Sequence, residues 1–262
     1  MPEKSKRLRV MAGPNGSGKS TVLRLVRNNF YSGPFVNADE IEKSFKEKGL
    51  INPIAEYGIN ILETDFTEFT NGIGKSWIEK AKAENTAISL HCNNSILLTA
   101  HNPSPYDAAL AADFMRYKLL DSGETFTFET VLSHPSKVEF LKESNKRGFK
   151  NYLYFICTVS PGINIKRVKQ REQLGGHSVL EERIIKRYLE SLNILPHLIP
   201  LCHRTFLFDN STEESDFSIE PVAEIDKQGR FIPRQKQLPW WILEHVVREL
   251  YPDQIADLIL PQ

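Results

Sequence analysis

The chain has 262 residues, 40% of them hydrophobic, which is enough for one large core, and Lys+Arg balance Asp+Glu at 33 each. Zero formal net charge excludes recognition of nucleic acid through a global basic field, and three scattered cysteines, Cys92, Cys157 and Cys202, exclude a disulfide framework or a cysteine metal site. The basic N-terminal residues run into Met11-Ala12-Gly13-Pro14 rather than an apolar stretch, and no apolar run reaches the roughly 18 to 20 residues of a membrane span, so a soluble cytoplasmic protein is expected.

Short apolar runs alternate with helical patterns, which predicts an α/β architecture with a parallel central sheet. The first predicted strand, Leu8–Ala12, leads into Gly13-Pro14-Asn15-Gly16-Ser17-Gly18-Lys19-Ser20, followed by Thr21 and a predicted helix over Lys19–Asn28. This is the G-x-x-x-x-G-K-[ST] pattern of a phosphate-binding loop. Glycines let the backbone curl so that its N–H groups point inward at phosphate oxygens, and the helix start adds its positive dipole end. Residues 13 to 21 are therefore the expected nucleotide-binding set, for ATP with Mg²⁺. Lys19 would reach the β- and γ-phosphates, and Ser20 would ligate the metal. Guanine-specificity and ABC-signature motifs are both missing from the chain.

A second strand is predicted over Phe35–Ala38, and Asp39 lies at its carboxyl end, where ligands of open parallel sheets bind. Asp39 is expected to accept the proton of an attacking hydroxyl. Asp39-Glu40-Ile41-Glu42 also reads as an N-cap with a capping-box Glu, a compatible structural role. From residue 45 to 102 the periodicity weakens, and this stretch is expected to be a mostly helical insertion within a single domain. Next come a helix over Ala108–Asp121 and a strand over Thr125–Phe128 that ends at Glu129. Glu129 is a candidate for holding Mg²⁺ through water or for gripping substrate, with Thr130 and Ser133 as hydroxyl contacts; the alternative for those two is capping of the helix predicted at Ser136–Arg147.

After a strand at Tyr152–Thr158, two helices are predicted, Gly162–Gln173 and Glu181–Leu195. Arg167 and Arg171 are four apart on one, and Arg183 and Arg187 four apart on the other, flanking Gly175-Gly176-His177. Like charges at this spacing repel by about a few tenths of a kcal/mol, and an anion bound between the helices would relieve that. These arginines and His177 are read as a phosphoryl-transfer lid, with Arg171 and Arg187 as catalytic candidates. Solvated charge partnered by Glu172, Glu181 and Glu182 is the alternative. A strand at Thr205–Phe208, a hairpin of Val222–Asp226 and Arg230–Ile232, and a helix over Leu238–Leu250 complete the chain, residues 220 to 262 reading as structural.

Ala12 to Thr21, Val36-Asn37-Ala38-Asp39, Phe128-Glu129-Thr130-Val131-Leu132-Ser133, and Arg167-Val168-x-x-Arg171 followed by Gly175-Gly176-His177 occur in this order. Together they resemble the zeta-toxin-like P-loop kinases. The resemblance implies a nucleotide-kinase-like three-layer α/β/α fold and ATP-dependent phosphorylation of a small-molecule hydroxyl, for the best-known members that of UDP-N-acetylglucosamine. It further implies Asp39 as the hydroxyl-activating carboxylate, Glu129 and Thr130 at the substrate, and a separate antitoxin chain as partner. Two other readings stay open: a regulatory P-loop ATPase switch with no acceptor, in which Glu129 positions water, and a nucleic-acid end kinase, which the neutral charge disfavours.

Overall fold

The computed structural model describes residues 5–100, 102–175, 179–212, 220–255 and 258. In chain order the elements are β1 (Arg7–Ala12), α1 (Lys19–Asn29), β2 (Phe35–Val36), α2 (Ala38–Lys48), β3 (Leu50–Ile51), α3 (Pro53–Tyr57), α4 (Glu63–Asn71), α5 (Lys75–Ala83), β4 (His91–Asn93), β5 (Ile96–Leu98), α6 (Pro105–Ser122) and β6 (Phe126–Thr130). They continue with α7 (Ser136–Lys146), β7 (Lys150–Cys157), α8 (Pro161–Gln173), α9 (Glu181–Leu198), β8 (Arg204–Asp209), β9 (Ala223–Ile225) and β10 (Phe231–Pro233). A helical tail follows, made of Trp240–Ile242, a π-helical turn Leu243–Val247, and Arg248–Leu250. The fold is mixed α/β with a mostly parallel central sheet, as the alternation of patterns predicts. Among the described residues no helix is long and apolar enough to cross a membrane.

The chain divides into two compact units, residues 1–31 with 130–262, and residues 32–129. The larger unit is built on strands in the order β10-β9-β8-β7-β1. β1, β7 and β8 run parallel, and β9 and β10 extend the sheet antiparallel. Alternation along the strands gives this sheet two unlike faces. One carries Leu8, Val10, Leu153, Phe155 and Leu207, all fully buried, with the Trp241 ring 5.7 Å from that of Phe155. α7 packs on the same side through Asn151: its Nδ2 donates to Leu141 O (3.2 Å), Asn145 Oδ1 (2.9 Å) and Leu201 O (3.1 Å), while Oδ1 accepts from the Ser144 hydroxyl (2.7 Å). The other face, toward α1 and its buried Val22, Leu23 and Val26, carries Arg9, Tyr152, Tyr154, Arg204 and Phe206.

The smaller unit pairs β2 with β6 in parallel and holds a separate antiparallel sheet in the order β3-β5-β4. Its centre is α6, opened by a capping box with Pro105 in first position: Ser104 Oγ accepts from Asp107 N (3.2 Å), and Asp107 Oδ2 accepts from Ser104 N (2.7 Å). Phe66 and Phe69 pack on Phe114 at centroid distances of 5.2 and 5.4 Å. Arg116 is buried, engages Asp113 and lies 5.1 Å over the Phe128 ring; burial lowers its pKa to about 10. Residues 45 to 102, expected to be mostly helical, comprise α3, α4 and α5 together with that three-stranded sheet.

Asn151 satisfies four partners from a position with no solvent access. Asn151→Ala orphans several of them at once, and we expect it to lower unfolding free energy by about 2–4 kcal/mol, read by urea denaturation. Asn145→Ala, on the exposed rim of the same cluster, should cost less than half as much.

Candidate functional site

The candidate site in the larger unit begins where β1 ends. Gly13, Gly16 and Gly18 take φ of 142°, 76° and 95°, and α1 starts at Lys19. Steric space sets a second demand for glycine here. A Cβ on Gly13 would lie 2.0 Å from Ile156 O, one on Gly16 2.6 Å from Asn164 O, and one on Gly18 2.2 Å from Asn210 Nδ2. The loop is backbone pressed against the ends of β7, α8 and β8, with no room for side chains at these three positions.

Lys19 is 7% exposed and folds back into the loop, its Nζ donating to Gly13 O (2.9 Å) and Pro14 O (3.0 Å). Ser17 Oγ is buried and has no hydrogen-bond partner among the described residues. Ser20 and Thr21 stand on the first turn of α1, Ser20 exposed. Positive-φ backbone, an ammonium held at its centre and the unpartnered Ser17 hydroxyl fit a triphosphate tail. Ser20 is the one hydroxyl of the set exposed enough to reach a metal carried by the phosphates.

Four polar residues that the sequence reading did not single out hold this loop in shape. Asn164 Nδ2 donates to Asn15 O (2.6 Å) and Asn210 Nδ2 to Ser17 O (2.9 Å). Thr158 bonds Asn164 Oδ1 through its hydroxyl and accepts from the Tyr188 hydroxyl at its carbonyl (2.6 Å). Burial raises the Tyr188 and Cys157 pKa values well above their ordinary range, so both stay neutral at physiological pH. Asp209, also outside the sequence reading, accepts from Trp241 Nε1 (2.7 Å) and Ser211 N (3.1 Å). Thr158, Asp209 and Asn210 lie at the carboxyl ends of β7 and β8, so the strand-end rule applied to Asp39 and Glu129 would have found them.

The arginines take different positions. Arg167 Nη1 and Nη2 donate to Asn210 O (2.7 Å) and Thr212 O (3.0 Å), tying α8 to the segment after β8. Arg187, half-buried on α9, places Nη1 3.4 Å from Asn15 Oδ1. Arg171 and Arg183 are exposed. His177 lies outside the described residues. Thr130 Oγ1 accepts from Leu132 N (3.0 Å), and Leu132 takes the left-handed φ of 59°. Neither Thr130 nor Ser133 caps α7; the His134 ring nitrogen accepts from Ser136 N instead (3.2 Å).

In the smaller unit, the N-cap of α2 is Asn37 rather than Asp39, which corrects the capping expectation. Asn37 Oδ1 accepts from Asp39 N (2.8 Å) and Glu40 N (3.4 Å), and its Nδ2 donates to Glu129 Oε2 (3.2 Å). A side chain is the better cap one residue outside the helix, where its oxygen meets the first free amides. Asp39 is left exposed in the first turn with its carboxylate outside that bonding.

No family model matches the chain. Among curated proteins it is similar to an uncharacterized protein of Haemophilus influenzae, 27% identical over 122 residues, covering 45% of this chain and 87% of that protein. Among solved structures it is similar to the crystal structure of AvrRxo1-ORF1:AvrRxo1-ORF2 with sulphate ions, at 15% identity and a TM-score of 0.48, covering 88% of this chain and 61% of that one. The same complex with ATP gives 16% identity and a TM-score of 0.47, covering 88% and 61%. The PezAT chromosomal toxin–antitoxin system of Streptococcus pneumoniae gives 14% identity and a TM-score of 0.45, covering 80% and 70%. The chain thus spans about three fifths of the length of the AvrRxo1 chain it matches.

The glycine cradle predicts a sharp contrast. Gly13→Ala drives a methyl group into the Ile156 carbonyl, and we expect ATP affinity to fall at least about tenfold with a stability loss of about 1–3 kcal/mol. Gly148→Ala, at φ 79° but with open space around it, should cost about 1 kcal/mol and leave ATP binding intact. Calorimetric titration and thermal melts of both variants check this.

Proposed function

We propose that the chain is an ATP-dependent phosphotransferase acting on a hydroxyl of a small molecule. The observation that carries this reading is the loop of residues 13 to 18, wrapped around the Lys19 ammonium with glycine at each point of closest backbone approach. MgATP would supply the γ-phosphoryl group, its metal held by Ser20 and phosphate oxygens. Lys19 exchanges the Gly13 and Pro14 carbonyls for phosphate oxygens, and the loop amides neutralise the same tail. Arg187, whose guanidinium already stands at Asn15, stabilises charge on the transferred group, with Arg171 and Arg183 closing as the lid. Arg167, bonded to two carbonyls, positions the segment after β8.

On the acceptor side, the proposal assigns Asp39 as the base that takes the hydroxyl proton. Its exposure and its place in the first turn of α2 leave the carboxylate open to a substrate hydroxyl. Glu129, oriented by Asn37, and the hydroxyls of Thr130 and Ser133 grip the substrate. A nucleotide sugar such as UDP-N-acetylglucosamine is the first acceptor to test, and a separate antitoxin chain the partner to seek, both on the family resemblance alone.

Incubation with labelled ATP and a metabolite pool, followed by mass spectrometry, should reveal one new phosphorylated species. Asp39→Asn should lower turnover by at least about a hundredfold with ATP affinity unchanged within about twofold, whereas Lys19→Ala should lower ATP affinity itself. Release of ADP and free phosphate with no phosphorylated product would overturn the transfer reading in favour of a regulatory ATPase. Unchanged turnover of Asp39→Asn would remove that residue from the mechanism.

A further inference from the structure

The larger unit's sheet has a second feature that the phosphate loop does not use. Arg9 on β1, Tyr152 on β7 and Arg204 on β8 form one cross-strand row, and Tyr154 and Phe206 pair in the row above. Parallel strands covered by helices ordinarily carry Val, Ile and Leu on both faces, as the Leu8–Val10–Leu153–Phe155 face does here. On this face α1 leaves a cavity of about 460 Å³, within the size range of small-molecule pockets.

Its lining is chemically lopsided. Arg9 and Arg204 bring guanidinium groups to it, and among the described residues no carboxylate lines it. Arg204 bonds Glu224 (2.8 Å), but Glu224 also takes Arg234, so one carboxylate serves two arginines. Arg9 is only 3% exposed and hydrogen-bonds Tyr154, but its Nη1 has no hydrogen-bond partner among the described residues; Arg204 Nε likewise has none. A buried cationic donor left unpaired is costly and rare in folded proteins. The apolar wall is equally defined: the Tyr154 and Phe206 rings stack at 5.0 Å and 21°, with the Arg204 guanidinium 4.9 Å over Phe206, and Val22, Leu25 and Val26 of α1 face them.

We propose that this cavity is a ligand site distinct from the phosphate loop, taking a small organic anion whose carboxylate or phosphate meets Arg9 and Arg204 while its flat apolar body lies along Tyr154, Phe206 and α1. Unpaired guanidinium nitrogens supply charge-assisted hydrogen bonds to the anion, and the aromatic wall supplies stacking and apolar burial. Arg7 and Arg9 stand in the first half of β1, upstream of the loop at residues 13 to 18, so the two sites draw on different parts of the strand.

Calorimetric titration of the full chain with naphthoate and with its uncharged counterpart naphthylmethanol tests this. Naphthoate should bind at least about tenfold more tightly than the alcohol, and Arg9→Gln and Arg204→Gln should each weaken it about tenfold. Excess ATP with magnesium should not displace it. Should Arg9→Gln fail to fold, Leu25→Trp, which fills the cavity from α1, should abolish naphthoate binding at an unchanged melting temperature. Equal affinity for acid and alcohol, binding undiminished in the folded variants, displacement by ATP, or no binding of either probe would overturn the proposal.

Discussion

Backbone closeness around residues 13 to 18 is the constraint on which the rest of the larger unit depends. Three glycines lie so near Ile156 O, Asn164 O and the Asn210 amide that a single methyl group at any of them collides. That crowding holds three loop residues at positive φ, and the Lys19 ammonium donates to the carbonyls of Gly13 and Pro14. On the proposed reading, the oxygens of a triphosphate tail take the place of these carbonyls. The cost of assembling the cradle is met during folding, by contacts made far from any ligand.

Those contacts radiate from the loop to three elements. α8 supplies Asn164, α9 supplies Tyr188 through Thr158, and the end of β8 supplies Asn210, which Arg167 in turn grips. The arginines near these roots, Arg167 and Arg187, already touch polar backbone or side-chain groups of the site, whereas Arg171 and Arg183 are exposed. Neighbouring charges on one helix thus acquire different duties. Helical geometry makes them look equivalent at a spacing of four, and tertiary contacts separate them.

The smaller unit follows a similar logic with different groups. Asp107 accepts from Ser89 N, Leu90 N and Ser104 N, and Asp113 engages both Trp77 and Arg116. Buried charges at this depth are tolerated only when hydrogen-bonded and paired. In the larger unit Arg9 Nη1 is left without a partner among the described residues, which is why the α1 face of its sheet reads as a surface built for something other than packing.

The sequence by itself determined the glycine-rich loop of residues 13 to 18 and the placing of the strands around it. Six consecutive dihedral choices, a lysine and a following helix are covalently adjacent, so their chemistry can be read locally; predicted strands such as Leu8–Ala12 and Tyr152–Thr158 fall within a residue or two of those observed. The β3-β5-β4 sheet escaped because strands of two and three residues are too short to show alternation. Asn37 displaced Asp39 as cap because helix ends are decided by one amide's geometry, which the sequence leaves open by a residue or two. Tertiary structure alone decided the role of Asn164 and Asn210, whose partners in the loop lie 149 and 193 residues away. It also decided that Arg9, Tyr152 and Arg204 share a row. Contacts between distant segments are set by register and packing, and no local pattern encodes them.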